Sequence, residues 1–300
     1  MTSSPAHLSR ARTFLLWCLA VVWFSEMILS GVRPLTERWT QLWEYVAPGD
    51  ARLFLTYAVL AAGKGALAVL AVSALRSRSP FVRSALFIAM AIVPPLNVAF
   101  PFRAQGFLLR PTMIGATLSV ILWQTFFLFR DQQARPDRSM RALAVRSRLT
   151  PTEIARYVWF AVNGIVLTAA ATLFLFAPDL GVRLAFPCFA GSRDAVPSGV
   201  SLTGMVVGTH LTAVATATWI GTVVSRGNAT LRHAAAAANT LHAALLCLLP
   251  LAQLALEGGT QCATSSLLIY AIPLLAGWLT YGTLTYRTTP TRLRLEHSGH

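Results

Sequence analysis

The stretch "LFLTYAVLAAGKGALAVLAVSAL", residues 53–75, decides the fold class of this chain. Its residues are nearly all apolar, and a helix of about 20 such residues crosses the ~30 Å hydrocarbon core of a bilayer. In lipid the backbone must hydrogen-bond to itself, and a run of this length does so as a helix. Lys64, near its middle, is the single lysine of the chain. The stretch therefore predicts a transmembrane helix with an ammonium group at mid-depth.

Similar apolar runs recur along all 300 residues. The chain is 55% hydrophobic and 12% charged, whereas charged residues make up about 25% of an ordinary soluble domain. We predict an all-α, polytopic integral membrane protein that forms a single membrane domain over residues 1–300. About eight transmembrane helices are expected, and a count of seven stays open because the third run is short and broken. The predicted helices cover residues 13–32, 53–75, 84–100, 107–129, 156–178, 201–224, 234–256 and 265–286.

The distribution of arginine predicts the orientation of these helices. If the N- and C-termini are cytoplasmic, 17 arginines fall on inner segments and 7 on outer ones, in agreement with the positive-inside rule. The longest inner connection, residues 131–155, divides the helices four plus four. It contains Thr150, Pro151 and Glu153, a pattern typical of a helix start.

The net charge of +14 would suggest nucleic-acid binding in a soluble protein. Here the arginines are spread over short loops that face anionic lipid at the inner face. We therefore expect the lipid bilayer as the partner and no binding of nucleic acid. The preference for arginine over lysine is typical of a GC-rich genome, which leads us to expect the plasma membrane of a bacterium, that is, its inner membrane.

Lys64 needs a physical reason, because an ionisable residue at the bilayer centre costs roughly 2.5–3.5 kcal/mol on insertion scales. Its "AGKG" context is not a phosphate-binding loop, which requires a glycine six residues before the lysine and Ser or Thr after it; Ala58 and Gly65 occupy those places. Small residues share its helical face, so we expect it to point into the bundle. Glu26, on the preceding helix, is the expected partner. The pair either fixes how two helices dock or meets a proton or an ionic substrate.

His210 and His242 fall at similar depth on consecutive predicted helices. Two such histidines are the minimal geometry for the axial ligands of haem b, or for part of a metal site. A histidine on an apolar helix more often hydrogen-bonds a neighbouring helix, and no second pair accompanies these two. We therefore expect no cofactor, with haem b as the minority alternative.

The stretch "PPLNVAFPFRAQGFLLRPT", residues 94–112, carries four prolines and should break the helical pattern. Irregular backbone at membrane depth is tolerated only where protein or a water-filled cavity covers it. One interpretation is a vestibule for a small anionic solute, above Lys64 and Glu26. The alternative is a tight outer turn whose arginines reach lipid head groups. The polar residues concerned are Asn97, Arg103, Gln105 and Arg110.

Two cysteines, Cys188 and Cys262, fall in predicted outer loops. A disulfide joins them if that side of the membrane is oxidising, and two unpaired thiols are the alternative.

The sequence lacks paired aspartates for diphosphate chemistry, HExxH, histidine boxes and CxxC, so enzymatic activity is not indicated. We predict a small-solute or ion transporter that uses the polar groups at mid-depth. A non-catalytic accessory or scaffold subunit of a membrane complex is the alternative, and a membrane haem b redox protein is a further one.

Overall fold

The structure is a computed structural model. It describes residues 10–32, 51–77, 79–97, 99–100, 151–185, 196, 198–224, 229–257 and 261–288. Across these residues the regular structure is helical and contains no β-strand. The helices are α1 (Arg10–Val32), α2 (Ala51–Arg76), α3 (Pro80–Ala91), α4 (Val93–Asn97), α5 (Pro151–Phe176), α6 (Pro178–Ala185), α7 (Ser198–Trp219), α8 (Ala229–Glu257) and α9 (Gln261–Thr288). A π-helical turn, Ile220–Val224, continues α7.

Four of the described helices are long and apolar enough to cross a membrane. These stretches are Thr56–Arg76, Glu153–Phe176, Val200–Thr222 and Ala229–Ala252. Shorter apolar stretches lie in α1, in α3 with α4, and in α9. Together these helices indicate a membrane-embedded, all-helical protein. The helix predicted at 107–129 lies outside the described residues.

α2 is the centre of the described bundle. It packs against α1, α3, α7 and α8, and 78% of its apolar stretch is buried, compared with 39% for that of α5. Alanine and glycine dominate its middle turns, and small residues allow neighbouring helices to approach closely. The helix that carries Lys64 is therefore the most enclosed of the four long apolar helices.

The two glycines beside Lys64 explain its "AGKG" context. A Cβ atom added at Gly63 would lie 2.9 Å from Cβ of His210 on α7. One added at Gly65 would lie 2.6 Å from Cδ1 of Leu245 on α8 and 3.0 Å from Sδ of Met27 on α1. α1, α7 and α8 thus contact α2 on either side of Lys64, and the absence of a side chain at the two glycines allows these contacts.

The apolar run predicted as one helix at 84–100 forms two helices, α3 and α4. α3 begins earlier than predicted because Ser79 caps it, accepting a hydrogen bond from the amide of Val82 at 3.4 Å, and Pro80 follows as its first residue. A turn at Ile92 separates the two helices. The prolines that follow this turn lie inside the short α4.

The helix predicted at 156–178 begins at Pro151 and is continued, after a one-residue break, by the short α6. The earlier start agrees with the helix-start pattern at that proline, whereas the sequence analysis did not predict α6. Asp179 of α6 accepts a hydrogen bond from the hydroxyl of Ser201, which ties α6 to α7. α6 also begins with a proline, Pro178, and this was the signal available in the sequence.

The placement of Cys262 in a loop was wrong, because this residue lies in the first turn of α9. Cys188 lies outside the described residues, so the disulfide stays a prediction. Cys18 of α1 and Cys247 of α8 are free thiols.

Candidate functional site

Lys64 and Glu26 form an ion pair between α2 and α1. The ammonium Nζ donates to Oε2 of Glu26 at 2.6 Å and to Oγ of Ser30 at 2.9 Å. Glu26 and Ser30 are four residues apart and therefore lie on one face of α1. The Lys64 side chain is 10% exposed and that of Glu26 is 47% exposed. The ammonium is thus enclosed by protein, whereas its carboxylate partner reaches the protein surface.

The ion pair lies deep along the helix axis. Lys64 is near the midpoint of the 26-residue α2, about 20 Å from its first residue at ~1.5 Å per residue. A charge at that depth in lipid is costly unless a partner offsets it. Ser30, which the sequence analysis did not single out, supplies a second acceptor to the ammonium, and its spacing from Glu26 was the available signal.

His210 of α7 places a basic nitrogen in the same layer. Its Nδ1 lies 2.8 Å from the backbone oxygen of Val206. A carbonyl can only accept, so Nδ1 carries the hydrogen and Nε2 of the neutral ring has a free lone pair. Nε2 is buried and makes no hydrogen bond to the residues that the structure describes. The imidazole ring contacts Trp23 of α1 edge-on, with 5.6 Å between the ring centroids. The positive charge of Lys64 acts electrostatically on the imidazole.

Asn97, at the end of α4, is connected to this layer through Thr209. The Thr209 hydroxyl donates to Oδ1 of Asn97 at 2.8 Å, and it lies 3.2 Å from Nδ1 of His210. The Thr209 hydroxyl therefore links the Asn97 side chain to the imidazole of His210. Of the residues predicted to form a vestibule, Arg103, Gln105 and Arg110 lie outside the described residues.

His242 of α8 approaches α2 from another direction. Its ring lies near the backbone of Ala62, and Cβ of His210 lies 2.9 Å from the position of a Cβ atom added at Gly63. Both are buried side chains. Haem binding by the two histidines stays a prediction.

Within the described part of the chain, no group of three or more His, Cys, Asp or Glu side chains could hold a metal ion. The geometry therefore adds no third ligand to His210 or His242, and metal binding by the two histidines stays a prediction.

Two cavities lie between the described helices. One, of about 420 Å³, lies between α8 and α9. The other, of about 350 Å³, lies among α4, α5 and α7. Neither is lined by Lys64, Glu26, His210 or His242.

Two further buried polar residues escaped the sequence analysis. Arg83, assigned to an inner loop, is buried in α3, where Nη1 donates to the backbone oxygen of Ser77 at 2.9 Å and so satisfies a carbonyl at the end of α2. Asn239 of α8 donates to the hydroxyl of Thr218 on α7 at 2.9 Å. The helix start at Pro80 was a signal for the first, because it places Arg83 inside a helix.

Comparisons with protein-family models, with curated proteins and with solved structures give no significant match to this chain. The described residues that cluster around the ion pair are here called the polar layer: Glu26, Ser30, Lys64, Thr209 and His210.

Proposed function

We propose that this chain is a multi-pass protein of the bacterial plasma membrane that transports a small solute or ion by a proton-coupled mechanism. We further propose about eight transmembrane helices, cytoplasmic termini and anionic lipid around the arginines of the inner face. The observation that carries the transport proposal is the ion pair at mid-depth, in which an enclosed ammonium bonds a carboxylate that is half exposed.

The unequal exposure of the two charges gives them different chemistry. We propose that Glu26, the more exposed partner, takes up the proton, whereas Lys64 stays inside the bundle. Protonation of Glu26 removes the negative charge from the pair and leaves the ammonium uncompensated in a low-dielectric region, which is costly. An anion that enters then takes the place of the carboxylate. Proton uptake by Glu26 and anion binding at Lys64 are therefore coupled.

Asn97 extends the polar layer towards the proline-rich stretch. The lone pair on Nε2 of His210 is a hydrogen-bond acceptor, and Thr209 links the imidazole to Asn97. We propose that the solute enters through a vestibule that Asn97 forms with Arg103, Gln105 and Arg110. Guanidinium groups suit carboxylate or phosphate, so a small anion is the expected substrate class.

Proton flux in reconstituted vesicles tests this function. Purified protein is inserted into vesicles that contain a pH-sensitive dye, and chloride, nitrate, phosphate and short-chain carboxylates are added one at a time. We expect at least one anion to drive a change in internal pH. The variants Glu26→Gln and Lys64→Met should each abolish it, while Ser25→Ala, an exposed position beside the pair, should not.

The double variant Glu26→Gln with Lys64→Met separates transport from a structural role. A transporter recovers thermal stability in the double variant, because no charge is left uncompensated, but it does not recover flux. Recovery of both stability and flux would refute a coupling role for the pair.

An accessory or scaffold subunit is the second candidate function. The packing of α7, α8 and α1 on Gly63 and Gly65 favours it, because the surroundings of Lys64 resemble a helix-docking site. Isolation of the chain from its native membrane in a fixed complex, with unchanged growth of cells that carry Lys64→Met, would favour this function over transport.

A further inference from the structure

Basic side chains lie near the starts of both α5 and α8. Arg156 is in the second turn of α5 and Arg232 in the first turn of α8, and both act electrostatically on His233 of α8 and on Tyr281 of α9. Glu153, in the first turn of α5, offsets one charge. The N-termini of α5 and α8 add partial positive charge of their own. This end of the bundle is therefore electropositive.

An aromatic cluster holds these three helices in place. Phe160, one turn after Arg156, contacts Trp278 of α9 at 5.0 Å and Tyr281 at 5.2 Å between ring centroids, both in edge-on geometry. All three aromatic side chains are buried. Because Phe160 packs α5 against α9, Arg156, one turn earlier in α5, lies towards the same end of α9 as Tyr281.

An apolar groove of about 420 Å³ begins at this electropositive end. It follows α8 from His233 to Ala244, a distance of about 16 Å at ~1.5 Å per residue. That length is close to the depth of one leaflet, half of a ~30 Å hydrocarbon core. The remaining lining residues are mostly small and apolar: Ala236, Ala237, Thr240, Leu241 and Gly282.

We propose that this groove binds one phospholipid with an anionic head group. The phosphate lies against Arg156 and Arg232, and one acyl chain lies along α8. The apolar groove by itself would accept any lipid, so the charge at its mouth selects the occupant. Each arginine near the membrane surface strengthens binding of anionic lipid by about fivefold. The site requires α5 and α8 to span the membrane, and it does not depend on the transport function.

Binding is tested with the full chain purified in a neutral detergent. Native mass spectrometry and thermal unfolding are followed during titration with phosphatidylglycerol, with phosphatidylcholine of the same acyl chains, and with glycerol 3-phosphate. We expect phosphatidylglycerol to bind roughly 25-fold more tightly than phosphatidylcholine, the product of two arginine contributions. The double variant Arg156→Gln with Arg232→Gln should lose this preference. Arg76→Gln, which removes an exposed arginine at the end of α2, is the matched control.

A second pair of variants tests the acyl-chain groove without touching a charge. A Cβ atom at Gly282 meets nothing within 4 Å and Gly282 lines the groove, so we expect Gly282→Leu to fill part of the groove. It should weaken binding of both lipids, whereas Ala276→Leu, at an exposed position of α9 outside the groove, should not.

Three results would overturn the lipid site. The first is an equal loss of preference in Arg76→Gln and in the double arginine variant, which would show general attraction to a basic surface. The second is binding of glycerol 3-phosphate as tight as that of phosphatidylglycerol, which would show a site for free phosphate esters. The third is unchanged binding of both lipids by Gly282→Leu.

Discussion

The unequal burial of the Lys64–Glu26 pair predicts an unequal response when either charge is removed. Glu26→Gln leaves the ammonium, which is 10% exposed, without its carboxylate. Removing one partner of a buried pair costs about 3–5 kcal/mol in the free energy of unfolding. Lys64→Met instead leaves a carboxylate that is 47% exposed and can be solvated or protonated. For Lys64→Met we therefore expect a smaller loss in the free energy of unfolding, about 1–2 kcal/mol, because ion pairs at the surface contribute little to stability.

The free energy of unfolding is measured by titrating the purified protein in mixed micelles with a denaturing detergent, followed by circular dichroism. Glu26→Gln should be the least stable variant, and Lys64→Met should lie between it and the parent protein. The double variant should be more stable than Glu26→Gln alone. Lys64→Met that is as unstable as Glu26→Gln, or more so, would refute the argument from burial. Ser25→Ala controls for the loss of a polar group on the same turn of α1.

Three further predictions concern packing and capping, and each is measured by the same titration. Gly63→Ala should lower the free energy of unfolding by about 1–3 kcal/mol through overpacking, because its Cβ would lie 2.9 Å from Cβ of His210. Gly282→Ala should leave the free energy of unfolding unchanged, because its Cβ would meet nothing within 4 Å. Equal stability of the two would contradict the close contact of α2 with α7. Asn239→Ala should lower the free energy of unfolding by about 1 kcal/mol, the scale of a hydrogen bond between membrane helices. In a protein that already carries Thr218→Val, Asn239→Ala should cause no further loss. Additive losses in the double variant would count against the Asn239–Thr218 hydrogen bond. Ser79→Ala should lower the free energy of unfolding by about 1 kcal/mol and speed amide hydrogen exchange in the first turn of α3. Unchanged exchange in that turn would argue against the Ser79 cap.

The sequence predicted best where the signal is local. The long apolar run around Lys64 predicted α2 to within two residues at its start and one at its end, and the pattern at Pro151 marked the start of α5. The pairing of Lys64 with Glu26 followed from depth along consecutive helices. In each case, apolar length or a single charge in an apolar run carries the information.

The sequence could not predict how each helix is rotated against its neighbours. Depth placed His210 and His242 in one layer, but their contacts at Gly63 and Ala62 depend on the rotation of α7 and α8 around α2. Arg83 shows the same difficulty, because its burial follows from the packing of α3 on α2. Such placements are set by side-chain packing among helices distant in the chain.

The order of α1 and α2 in the chain has a consequence for how the protein is made. Chains are synthesised from the N-terminus, so Glu26 reaches the membrane before Lys64 leaves the ribosome. A lone α2 would carry its lysine into lipid at a cost of roughly 2.5–3.5 kcal/mol, whereas a hairpin of α1 and α2 enters with the charge already matched at 2.6 Å. We therefore expect α1 and α2 to insert into the membrane as one unit, in which Glu26 offsets the charge of Lys64.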